Sequence, residues 1–71
     1  MMKTDKSVMI IGTNTAAMRA ARLLGGAGIR ARVVRRTGRG TGCVYGVEIN
    51  GTDLNNAIYV FRMNNIQFAL M

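Results

Sequence analysis

Cys43 is the only thiol in the chain, and it closes the segment Arg35-Arg36-Thr37-Gly38-Arg39-Gly40-Thr41-Gly42. Three arginines on a glycine-rich backbone make a setting in which a cysteine becomes a nucleophile. Guanidinium charge stabilises the thiolate and lowers a thiol's pKa from its ordinary value of about 8.5. The sequence contains no histidine, so activation by a Cys/His pair of the cysteine-protease kind is excluded. Arginine charge and backbone amides remain as the activating groups, which directs the chemistry toward sulfur handling or redox. In this reading Cys43 is the nucleophile, Arg36 and Arg39 favour its anion, and the amides of Gly40 and Gly42 orient it. No cluster of metal-ligating residues and no cofactor fingerprint accompanies these positions, so neither a metal nor a cofactor is expected.

The elements that must hold this segment are constrained by size. Seventy-one residues predict one domain spanning residues 1–71, in which folding hides about 60–65% of the unfolded surface. A hydrophobic fraction of 49% argues against disorder. One cysteine forbids an internal disulfide and suits a reducing compartment. The first apolar run, Val8-Met9-Ile10-Ile11, is too short for a leader or a membrane span, so a cytoplasmic protein is expected. The net charge of +7 predicts an anionic partner: nucleic acid, a phosphate-bearing ligand or an acidic protein.

Ser7–Gly12 reads as a buried strand. Thr13, Asn14 and Thr15 offer caps for a helix to about Gly26, with Ala16, Ala17, Ala20, Leu23, Leu24 and Ala27 as its apolar stripe and Arg19 and Arg22 facing away. Gly25, Gly26 and Gly28 stop it. Over Ile29–Arg36 apolar Ile29, Ala31 and Val33 alternate with Arg30, Arg32 and Arg36, the pattern of a half-buried strand with a basic outer face. Cys43 to Ile49 reads as a third strand. After the Asn50-Gly51 turn, Leu54, Ala57, Ile58 and Phe61 mark a second helix to about Asn64. Asn65 then opens a last strand with Ile66, Phe68 and Leu70 on one face. The order β-α-β-β-α-β predicts an α+β, ferredoxin-like sandwich: a four-stranded antiparallel sheet with two helices on one face.

Three binding motifs compete for these residues. A dinucleotide fingerprint after the first strand would need glycines where the chain has Asn14 and Ala17, and asparagine there keeps a pyrophosphate off the backbone. Gly38–Gly42 could form a nest of amides for an anion, but a strand rather than a helix follows it. RNA recognition on this element order needs aromatics on the central strands. Here those strands offer Met9, Ile10 and Tyr45, so nucleic-acid binding is not expected.

Gly12-Thr13-Asn14-Thr15-Ala16-Ala17-Met18-Arg19-Ala20-Ala21, then Leu23-Leu24, the Gly28-Ile29 step and a loop ending in Cys43 resemble the selenium/sulfur carrier-like family of small bacterial domains. The similarity covers nearly the whole chain. It implies that Cys43 bears sulfur or selenium as a persulfide or selenopersulfide, and that Arg36 or Arg39 stands where the family's loop has an arginine. It also implies a carrier rather than an enzyme with its own turnover, loaded by a cysteine desulfurase-like or selenium-metabolism partner. Two other readings stay open on the residues. In one, Cys43 shares phase with Tyr45, Val47 and Ile49 and is simply packed in the core, while the basic sheet face and the Gly/Arg loop bind an anion or RNA. In the other, the open sheet face, with Val44, Gly46 and Ala69, associates into a homodimer.

Overall fold

The computed structural model describes residues 5–38 and 42–70. Strand β1 (Lys6–Gly12) leads into helix α1 (Asn14–Gly26), and strands β2 (Ala31–Gly38) and β3 (Gly42–Asn50) follow. A short 3-10 turn (Gly51–Asp53), helix α2 (Leu54–Met63) and strand β4 (Ala69–Leu70) complete the order. The fold is α+β, with an antiparallel sheet ordered β2-β3-β1-β4.

The periodicities decide what each element buries. Met9 of β1 and Val47 and Ile49 of β3 turn inward and are buried, together with Ala17, Ala20 and Leu24 of α1 and Ala57 and Phe61 of α2. Ile29 joins them, while Ile11, Ala31, Leu54, Ile58, Ile66 and Phe68 pack around the cluster. The exposed Arg19 and Arg22 lie as the 3.6-residue period requires, whereas Ala27, expected in the apolar stripe, is exposed at the helix C-cap.

Thr13 caps α1, its Oγ1 accepting from the Ala16 N–H at 3.1 Å. That bond satisfies one of the helix's free amides. Thr13→Ala should lower stability by about 1 kcal/mol, read as a drop in the urea midpoint at constant slope; an unchanged midpoint would mean that water replaces the cap at no cost.

Both helices end in the same device. After α1, the Gly28 N–H donates to the Gly25 carbonyl at 3.1 Å and the Ile29 N–H to Leu24 at 2.9 Å. After α2, Asn65 donates to Arg62 at 3.4 Å and Ile66 to Phe61 at 2.9 Å. Gly28 (φ 83°) and Asn65 (φ 57°) occupy the left-handed position that this cap requires. The expected strand from Asn65 is thereby corrected. Asn65 and Ile66 spend their amides on the helix end, and of the described residues after α2 only Ala69 and Leu70 pair with β1, opposite Ile10 and Met9.

Candidate functional site: the thiol on the β2–β3 arm

β1 stops pairing at Gly12, which lies opposite Tyr45. β2 and β3 continue together through Arg36↔Val44, Thr37↔Cys43 and Gly38↔Gly42. Residues 36–38 and 42–44 thus form a two-stranded arm extending past the end of the central strand, and Cys43 sits on it. Arg39 and Gly40 lie outside the described residues; Gly42 closes the last described rung with φ 81°.

The phase of β3 was legible, and the outcome at its first positions depends on what covers it. Ile49 and Val47 are buried, Tyr45 is half-buried and Cys43 is exposed, although all four share one face. A cysteine in core phase stays out of the core because the arm reaches beyond the packed part of the sheet.

Side-chain alternation also sorts the arginines. Arg36 pairs with Val44 and so lies on the face opposite Cys43. Arg35 pairs with Tyr45 and is the diagonal neighbour of Cys43 on the same face. It is exposed. In the sequence Arg35 is only one of three charges near the loop. The signal that singles it out is its parity with Ile29, Ala31 and Val33, which becomes usable once the pairing of the arm is known.

The opposite face of the sheet carries Val8 and Ile10 from β1, Val34 from β2 and Val44 from β3, with Gly46 between them and Ala69 at the β4 side. Across it Arg32 meets Glu48 at 3.1 Å, the one ion pair among the described residues. Arg32 remains 77% exposed, so this bridge contributes at most about 1 kcal/mol. Tyr45 lies on the other face, so this one offers no aromatic side chain from the three long strands to stack a base. Among the described residues no group of acidic residues and cysteine could hold a metal ion, and no helix is long and apolar enough to cross a membrane. Compared with protein families, curated proteins and solved structures, the chain matches none.

Proposed function

We propose that this chain is a small cytoplasmic sulfur or selenium carrier of ferredoxin-like topology, with Cys43 as the carrying residue. The observation that supports it is the exposure of Cys43 on an arm held by two strands. A carrier thiol must enter a partner's active site, and a thiol on a projecting arm can do so without unfolding the core. The fold reading draws on two successive β-α-β units and on β1 and β3 being the central strands.

Loading needs no oxidant. The Cys43 thiolate attacks the outer sulfur of a donor persulfide, a new S–S bond forms, and the donor's S–S bond breaks. Its electron pair leaves on the donor thiolate, and any proton on the outer sulfur passes to water. Unloading is the same exchange in reverse, with the acceptor attacking the outer sulfur. A selenopersulfide follows the same accounting. Arg35, on the thiol's face, is placed to attract the anionic species at each step, and Arg39 and Gly40 of the adjoining segment are proposed to assist it.

Two disulfide reagents test this reading, one anionic and one neutral. Both should modify native Cys43 completely without denaturant. A guanidinium about 7 Å from the reacting sulfur contributes roughly 0.6 kcal/mol toward a unit negative charge in water, about a factor of three in rate. Arg35→Ala should therefore reduce the anionic-to-neutral rate ratio about threefold, and Arg22→Ala on α1 should leave it unchanged. The difference should vanish at about 1 M salt, where the screening length is about 3 Å. A thiol that stays silent until denaturant is added would place Cys43 in the core and end the carrier reading.

A further inference from the structure

β2 is an open sheet edge. It spans 8 residues, and among the described residues it pairs only with β3, so that none of them supplies a strand to its outer row of backbone N–H and C=O groups. The other edge, β4, has 2 residues. A long free edge is a template for another strand, and this one carries an unusual charge. Arg32, Arg35 and Arg36 lie on it and Arg30 immediately precedes it, with Glu48 as the one acidic side chain paired across from them.

That charge disfavours a second copy of the chain as the occupant. An antiparallel pairing of two β2 edges centred on Val33 sets Arg30 opposite Arg36. Centred on Val34, it sets Arg32 opposite Arg36. Like charges directly opposite each other destabilise a pair, and each such pair occurs twice by symmetry. The same arginines favour an acidic strand. A hollow at the lower end of the edge, lined by Lys6, Arg30, Arg32 and Asn50 beside Glu48, offers a seat for a further carboxylate.

We infer that the β2 edge is a docking surface for an extended acidic segment of a partner protein, which adds to the sheet as a fifth strand. Main-chain hydrogen bonds supply affinity in this mode and alternate side chains supply selectivity. Acidic residues at every second position fall opposite Arg32 and Arg36 on the open face, and apolar ones between them fall against Val33 on the other. A protein segment is favoured over nucleic acid because Val8, Ile10, Val34 and Val44 on the open face give bases nothing to stack on. The inference does not depend on the chemistry of Cys43.

The test is a titration of the full chain, read by amide chemical shifts, with a peptide of alternating glutamate and valine matched to β2 in length. Binding should shift the amides of β2 first. The same peptide N-methylated at alternate positions keeps its charge but loses backbone donors, and it should bind about tenfold more weakly or worse. Arg36→Glu should weaken the unmodified peptide about fivefold or more, while Arg19→Glu on α1, with the same change in net charge, should alter it less than about twofold. Cys43→Ser should leave binding unchanged, which separates this result from the fate of the carrier reading. Equal binding of the N-methylated peptide, shifts centred on α1, or tighter binding of an oligothymidylate of equal charge would each overturn the proposal.

Discussion

Phe61→Ala should come close to unfolding this domain. Phe61 is fully buried, the largest such side chain among the described residues, and its ring lies 5.5 Å from that of Phe68 at a tilt of 52°. That geometry is a favourable one for two rings. Removing a buried phenylalanine ring costs about 3–5 kcal/mol. A domain of 71 residues has roughly 4–11 kcal/mol in total, at about 0.05–0.15 kcal/mol per residue. The loss therefore takes about a quarter of the margin at best and all of it at worst. Phe61→Leu, which keeps most of the volume, should cost about 1.5 kcal/mol or less. Urea denaturation followed by far-ultraviolet circular dichroism measures both, and equal midpoints for the two variants would mean that the α2 face can collapse around the missing ring.

Gly46→Ala should be nearly as damaging for a different reason. Gly46 stands opposite Ile10, the last regular rung before the irregularity in β1. A Cβ built there would overlap the Met9 carbonyl oxygen and lie 3.1 Å from the Ile10 Cα. These are backbone atoms of the neighbouring central strand, so no rotamer change relieves the clash. β1 and β3 would have to part at the middle of the sheet, at an expected cost of about 3 kcal/mol or more. Gly25→Ala is the contrast. Its Cβ meets nothing within 4 Å, and alanine in a helix interior is worth about 0.5–1 kcal/mol over glycine. The two substitutions should move the midpoint in opposite directions; a stabilised Gly46→Ala would mean that the strands are farther apart than described.

Much of this was legible in the sequence, for reasons that can be named. The helical stripe of Ala17, Ala20 and Leu24 and that of Ala57 and Phe61 announced their buried faces because a 3.6-residue period survives without tertiary context. The Gly28-Ile29 step announced its cap because glycine is the usual residue at that position. Asn65-Ile66 performs the same task with asparagine, which also suits turns and strand entries, so residue type alone did not distinguish a helix cap from the first residues of a strand. The steric demand at Gly46 was invisible because it arises from a neighbour more than 30 positions away in the chain. The site was legible as a residue type and a charge but not as a geometry. Alternation along β3 gives the phase of Cys43, and its exposure depends on where β1 ends. Proximity in sequence points to Arg36 as a thiolate neighbour, whereas pairing across the arm puts Arg35 on the thiol's face. Strand phase alternates at every residue, and a glycine-rich connection hides the register that decides between them.

Loading with sulfur tests the carrier proposal most directly. The native protein, incubated with a cysteine desulfurase and cysteine and then freed of the donor, should gain the mass of one sulfur atom. The gain should localise to the peptide containing Cys43, disappear on treatment with a dithiol, and leave as thiocyanate when cyanide attacks the outer sulfur. Cys43→Ser, with an unchanged circular dichroism spectrum, should gain nothing. A wild-type protein whose exposed thiol alkylates freely but never acquires sulfane sulfur, from the desulfurase or from inorganic polysulfide, would contradict the account.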